Sequence, residues 1–491
     1  MFLYLCYTLY EFIKITRGFI LRVTIENILK GHIYPILILS ISFMIWTYRY
    51  FIGADDILNV TFYSLFLLTI PFLLISIFYK NTVYTIPILF GFVFCIGVVD
   101  MGLGSFDASV VGFLNVLLVL IGIVIHLIKY KVKIKLKTIG LSLVLAAISF
   151  ILPELFKPFS LVGSMLGILG FFYLFIFLYY ANTIEGNQLH YLMRVFAITG
   201  LMLTFQMVSM WVHGFTLWEG TDLIKDFIEI FPRGKESFPG WGNINDLTIH
   251  LVLFSCIVIY YLHKYPKSIF PWLYLGFIAF WIYISNARGS MVTITLSALA
   301  CVIYAFFKRD KRQMINLLIS FLLVVLILVI FEPLVTQVMD SFFNTINFDE
   351  PDTMLTGRIS LWITHEKSAW NIFLKNPLIG SGWYNDLFIL SPDENRITVY
   401  HSTFFHVLAT GGIFGIIVLI YHFIKVYQLF KTHLVYKAVS AFFITYLISQ
   451  FHGLLDNTQY MVHFSIITYI AFAVIENIPI NKPNEREVQS V

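Results

Sequence analysis

Val110-Val-Gly-Phe-Leu-Asn-Val-Leu-Leu-Val-Leu-Ile-Gly-Ile-Val-Ile-His-Leu-Ile-Lys129 is followed at once by Tyr-Lys-Val-Lys-Ile-Lys-Leu-Lys137. An apolar run of this length is what a helix needs to cross a hydrocarbon layer of about 30 Å. The alternating lysines behind it mark a cytoplasmic end, because Lys and Arg are retained on the inner side of a bilayer. The stretch therefore reads as one membrane crossing that exits inward.

Runs of the same kind recur on both sides of it. They fall at about 33–51, 57–78, 83–101, 109–128, 138–153, 161–181, 193–212, 246–262, 268–285, 289–307, 315–333, 402–422, 437–454 and 458–476, with the fifth broken by Pro153. The predicted fold is all-α: a polytopic transmembrane helix bundle of about fourteen spans. Composition agrees, with 59% hydrophobic and only 12% charged residues. A soluble domain carries about 25% charge. The 18% aromatic content fits lipid-facing Phe and interfacial Tyr and Trp. Nothing in a net charge of +4 spread this way points to a nucleic-acid partner. Cys6, Cys95, Cys256 and Cys301 all lie in apolar stretches, which predicts buried small residues and no disulfide framework. Met1–Tyr10 is apolar from the start and lacks a leading basic region, so a cleaved signal peptide is not expected.

Charge placement orients the bundle. Lys80, the 129–137 run, His263-Lys-Tyr-Pro-Lys267, Lys308-Arg-Asp-Lys-Arg312, Lys425, Lys431 and Lys437 fall on one side. Asp55, Asp56, Asp100, Asp107 and Asp456 fall on the other. This is the positive-inside pattern, and it predicts that both termini are cytoplasmic. Residues 1–32, with Lys14, Arg17, Arg22 and Lys30 among apolar positions, read as a cytoplasmic interfacial segment. Residues 33–476 form the transmembrane domain and 477–491 a cytoplasmic tail. Two long connections, about 213–245 and 334–401, both fall outside. Long loops on that side alone place the work of the protein at the outer face of a cytoplasmic membrane.

The second loop carries Thr356-Gly-Arg-Ile-Ser-Leu-Trp-Ile-Thr-His-Glu-Lys-Ser-Ala-Trp-Asn-Ile-Phe-Leu-Lys-Asn-Pro377. Ile359, Trp362, Ile363, Trp370, Phe373 and Leu374 recur at helical spacing, which predicts an amphipathic helix on the membrane surface with Arg358 in its first turn. Gly380-Ser-Gly382 turns the chain, and His401 leads back into the membrane toward Gly411-Gly-Ile-Phe-Gly415, read as small residues for close helix packing. Asp349-Glu-Pro-Asp352, Arg233 and Lys235 read as solvated loop charges, and His452 and His463 as structural histidines.

Arg358…Trp362, Asn376-Pro-Leu-Ile-Gly-Ser-Gly382 and His401…Gly411-Gly-Ile-Phe-Gly415, in that order, resemble the signature of the O-antigen ligase and polysaccharide polymerase family. Ser285-Asn-Ala-Arg-Gly-Ser290 is similar to that family's upstream Ser-Arg-Gly segment, with Arg288 as its arginine. Gly240-Trp-Gly-Asn-Ile-Asn245 resembles its Asn-containing segment. Where the family often has His-Asn, this chain has His401-Ser402. The resemblance implies a metal-independent glycosyltransferase without cofactor that inverts the anomeric centre. Its partners would be an undecaprenyl-diphosphate-linked glycan, membrane lipids, and flippase and chain-length regulator proteins.

The chemistry follows independently. A glycan on an isoprenoid diphosphate needs charge neutralised on the leaving group and a proton removed from the acceptor hydroxyl. Arg forks match phosphate oxygens, so Arg288 and Arg358 are the diphosphate candidates. Imidazole exchanges protons near neutral pH, so His401 is the catalytic candidate. Asn243, Asn245, Trp362 and His250 are secondary substrate-binding candidates, with Asp246 beside them.

A polymerase joining repeat units and a ligase moving finished polymer to a terminal acceptor share these motifs. Another polytopic glycosyltransferase using a polyprenyl-phosphate sugar would place its acids in the first outer loop, where Asp55-Asp56 lies. A polysaccharide flippase also fits the span count but would be expected to show repeated halves, which the sequence lacks.

Overall fold

The computed structural model describes residues 25–52, 62–95, 110–159, 161–220, 223, 230, 244–308, 310–330, 332, 336, 340, 358–383 and 400–479. Among them every regular element is helical. In chain order the α-helices are α1 (Ile33–Ile52), α2 (Phe66–Phe78), α3 (Ile86–Cys95), α4 (Val110–Lys129), α5 (Lys137–Ile151), α6 (Leu161–Thr183), α7 (Leu189–Thr216) and α8 (Ile244–Phe254). They continue as α9 (Cys256–Lys264), α10 (Phe270–Ile284), α11 (Arg288–Lys308), α12 (Lys311–Ile330), α13 (Ala369–Lys375), α14 (Thr403–His433), α15 (Lys437–His452) and α16 (Val462–Glu476).

A helix lies on each stretch read as a span, and among the described residues six, including Leu189–Thr216 and Thr403–His433, are long and apolar enough to cross a membrane. Shorter apolar helices accompany them. The outward faces are greasy: on α12, Leu318, Phe321 and Leu322 are each more than half exposed. Such a stripe belongs in hydrocarbon rather than water. Polar side chains inside the bundle bond to their own helix, as Thr199 does to the Val195 carbonyl and Thr468 to that of Phe464, both at 2.8 Å. The centre is α16, buried from His463 to Ile475 and packed on α6 and α14.

Several boundaries differ from expectation. The span at 246–262 is two helices, interrupted at Ser255, whose hydroxyl bonds back to the Val252 carbonyl. Pro153 ends α5 in a 3-10 turn, Pro153–Phe156. The amphipathic run at 356–377 is not one helix. A π-turn, Ser360–Thr364, is separated from α13 by His365–Ser368, and the Ser368 side chain caps α13 by accepting from the Asn371 N–H. The expected apolar stripe is not the buried face: of its positions Trp362 is buried, while Ile363, Trp370 and Leu374 are exposed, and α13 buries Ala369 and Ile372 instead. Most of segment 1–32, most of both long loops, Asp55-Asp56 and residues 480–491 lie outside the described residues.

The Gly411-Gly-Ile-Phe-Gly415 motif does something other than ease helix packing. At Gly412 the backbone of α14 leaves the helix, with φ +60° and ψ −156°. The N–H groups of Ile413 and Phe414 bond instead to the carbonyls of Pro377 and Leu378 at 2.8 and 3.0 Å. In return Ser381 and Gly382 donate to the carbonyls of Ala409 and Thr410, both at 2.8 Å. Residues 377–382 thus plug a broken helix, and each backbone group left unpaired in apolar surroundings would cost several kcal/mol. The approach is tight enough that a Cβ on Gly412 would stand 2.6 Å from the Gly380 nitrogen, whereas one on Gly411 would meet nothing within 4 Å. Gly412→Ala is therefore expected to abolish folded, monodisperse protein and Gly411→Ala to leave its yield and melting temperature unchanged, as read by size-exclusion chromatography and thermal unfolding in detergent.

Candidate functional site

The candidate residues converge on a carboxylate that was singled out only as a topology marker. Asp456 sits in the turn between α15 and α16, with 4% of its side chain exposed. That turn is stapled to the start of α14. The Thr403 N–H donates to the Gly453 carbonyl at 2.8 Å, and Thr403 Oγ1 accepts from the N–H groups of Thr458 and Gln459 at 3.2 and 3.4 Å.

Asp456 Oδ1 is 3.1 Å from His401 Nδ1 and accepts the Asn457 N–H at 2.8 Å. Oδ2 accepts from Arg358 Nη2 at 3.3 Å and from Asn245 Nδ2 at 3.1 Å. Arg358 Nη1 also donates to the Leu455 carbonyl. Burial alone would disfavour the charged form, but the hydrogen bond and charge of His401, with the charges of Arg358 and His452, outweigh it and hold the Asp456 carboxyl down at about 2. It is therefore an anion at neutral pH, and His401 Nδ1 is the donor to it. That leaves Nε2 as the lone-pair nitrogen of a neutral His401 ring. His401 is itself held in the left-handed region, φ +48°, which costs a non-glycine residue about 1 kcal/mol and clusters at functional sites.

Arg288 joins from α11. Asn286, at φ +54°, reverses the chain between α10 and α11 so that Arg288 opens the helix. The α11 entry is fixed to α8 by Thr248 Oγ1 and Ser290 Oγ, 2.6 Å apart, and to α15 by His452, whose ring lies against Gly289. Arg288 and Arg358 are close enough for their charges to repel. Asp246, in the first turn of α8, similarly senses the charge of Asp456. One guanidinium, Arg358, and the His401 imidazole thus share the buried Asp456 anion, with Arg288 close by Arg358.

Residues 251–420 match the O-Antigen ligase family model. The match runs from within α8 to within α14 and contains Arg288, Arg358, Trp362 and His401. It supports a membrane glycan enzyme of the O-antigen ligase or polymerase type. Asn245 lies just before the matched segment and Asp456 after it. No curated protein and no solved structure matches the chain.

The secondary candidates divide. Asn245 belongs to the cluster. Trp362 is a strut: its indole N–H donates to the Tyr400 carbonyl at 2.6 Å and its ring stacks on Phe405, which fixes the residue next to His401. Its place is in packing behind the cluster rather than at an open surface. His250 lies one turn beneath Asp246, fully buried among Phe94, His463 and Phe464, with Nδ1 bonded to the Asp246 carbonyl. It supports the α8 start rather than lining the rim. Asn243 lies outside the described residues.

Because the Asp456 carboxyl is depressed, its contribution to stability is complete above the unfolded value, about 4, and is lost as pH falls toward about 2. The melting temperature of Asp456→Asn should therefore lie below that of the wild type by a constant amount from about pH 5 to 8. That gap should shrink below about pH 4, as measured by thermal unfolding in detergent.

Proposed function

We propose that the protein is a membrane glycan polymerase. It transfers a glycan from undecaprenyl diphosphate onto the next lipid-linked repeat unit, at the outer face of a bacterial cytoplasmic membrane, within a bundle of about fourteen spans whose termini are both cytoplasmic. The observation that supports this reading is the Asp456 carboxylate bridging His401 and Arg358, with Arg288 beside them.

In this mechanism His401 Nε2 takes the proton of the acceptor hydroxyl while Asp456 holds Nδ1 and stabilises the imidazolium that forms. The acceptor oxygen attacks the anomeric carbon as its bond to the diphosphate oxygen breaks, and the electron pair leaves with the lipid diphosphate. Attack opposite the leaving group inverts the centre. Arg288 and the open edge of Arg358 neutralise the diphosphate charge that develops. The first-turn N–H groups of α11 add to the positive potential there. Asp456 also positions Arg358, which is pinned on one side and left free on the other.

The match to the O-Antigen ligase family favours a second reading, in which finished polymer moves to a terminal acceptor. Deletion of the gene separates them. Single repeat units left on the carrier indicate the polymerase, and full-length polymer on the carrier indicates the ligase. A pool confined to the cytoplasmic leaflet overturns both in favour of transport. His401→Ala and Arg358→Ala, inserted at normal levels, should reproduce the deletion phenotype, with transfer in vitro lowered about 10²- to 10⁴-fold for His401→Ala.

A further inference from the structure

His452, the last residue of α15, touches both arginine-bearing elements of the cluster, one through its backbone and the other through its ring. Its carbonyl accepts from the Leu455 and Asp456 N–H groups, both at 2.9 Å. Those two residues are the seat of Arg358, which gives Nη1 to the Leu455 carbonyl and Nη2 to Asp456 Oδ2. The His452 ring is buried against Gly289, the residue after Arg288 at the start of α11.

The contact with Gly289 is close. A Cβ placed there would stand 2.6 Å from ring Cε1 and 2.8 Å from Nδ1. The Gly289 carbonyl is already bonded within α11, by the Thr293 hydroxyl at 3.0 Å. His452 Nδ1 is buried with no hydrogen-bond partner among the described residues. The ring therefore acts on α11 by its bulk rather than by a bond. Ser290, the next residue, is held to α8 through Thr248 at 2.6 Å.

Charge explains why a spacer matters here. Arg288 and Arg358 stand close enough to repel. Asp456 offsets Arg358, but among the described residues no carboxylate pairs with Arg288. Two like charges keep a set separation only if the backbones that carry them are fixed by packing.

We propose that His452 is the positioning residue that sets the separation of Arg288 and Arg358, and through it the preference for a diphosphate over a monophosphate lipid headgroup. The inference rests on the reading of the two arginines as diphosphate ligands. The two phosphates of a diphosphate share a bridging oxygen, so their outer oxygens lie at a fixed spacing and each can meet one guanidinium fork. A monophosphate engages one fork and leaves the other charge without a counter-ion.

The test titrates the purified full chain in detergent with farnesyl diphosphate and with farnesyl monophosphate, reading each affinity from the shift in thermal unfolding. The wild type should bind the diphosphate more tightly. His452→Ala should lower the ratio of the two affinities about tenfold, through weaker binding of the diphosphate. His452→Phe, which keeps a flat ring without its nitrogens, should retain the wild-type ratio. Gly289→Ala should lower the ratio as well, and adding His452→Ala to it should recover part of that loss, because the methyl enters the space the ring vacates. Ser449→Ala, a turn earlier on α15, should leave the ratio unchanged. Should His452→Ala fail to fold, Gly289→Ala decides. A wild type without preference for the diphosphate overturns the reading of the two arginines, and this proposal with it. A wild-type preference that survives in both His452→Ala and Gly289→Ala, or that His452→Phe or Ser449→Ala loses to the same extent, overturns the role of His452 alone.

Discussion

A charge shut away from water has to be answered by donors fixed in place, and Asp456 organises the candidate site because it is such a charge. Its two oxygens accept from three side chains and a backbone N–H, drawn from the α8 start, the segment before α13, the α14 start and its own turn. Removing any one partner leaves the others paired, but removing the carboxylate leaves an arginine and a histidine facing each other without a counter-charge. Breaking a buried ion pair in that way is far more disruptive than losing a surface one. The same carboxylate sets which nitrogen of His401 carries the proton. Its structural role and the chemical role proposed for it are therefore inseparable.

The rim that holds this carboxylate rests on a second constraint, the need to pair every backbone group in an apolar medium. A helix broken at Gly412 would fail on its own. It stands because Pro377–Gly382 supplies the missing partners, and that plug ties the segment after α13 to the body of the bundle. Trp383 continues from it into an aromatic seat against Phe150 and His406, and Tyr400 beside His401 is held by Trp362. The position of His401 thus depends on contacts made both before and after it in the chain.

Much of this was legible from residues alone, for reasons of physics. Apolar runs and lysine placement depend on the bilayer, a simple and uniform solvent, so helices fall where hydropathy puts them. Arg288, Arg358 and His401 stood out because ionisable groups at span boundaries are few. Asp456 did not, because a lone acid in a short outer turn is what the charge rule predicts anyway, and its partner His401 is 55 positions away. The amphipathic run was misread as one helix because side-chain periodicity is insensitive to a break repaired by a serine cap. Trp362, a secondary substrate-binding candidate by sequence, directs its indole N–H at the Tyr400 carbonyl, a packing contact that no local pattern distinguishes from a ligand contact. The reciprocal bonding of the two glycine motifs is a relation between distant backbones, which no local pattern encodes.

The account rests on His401 and Asp456 acting as a unit. A double-mutant cycle with His401→Gln and Asp456→Asn, scored as the transfer rate of purified protein on lipid-linked substrate, measures that coupling directly. The account predicts that the double variant is scarcely slower than either single one, because each substitution already removes the base. Losses that multiply, so that the double variant is slower by the product of the two single effects, would show that the residues act independently and would contradict it.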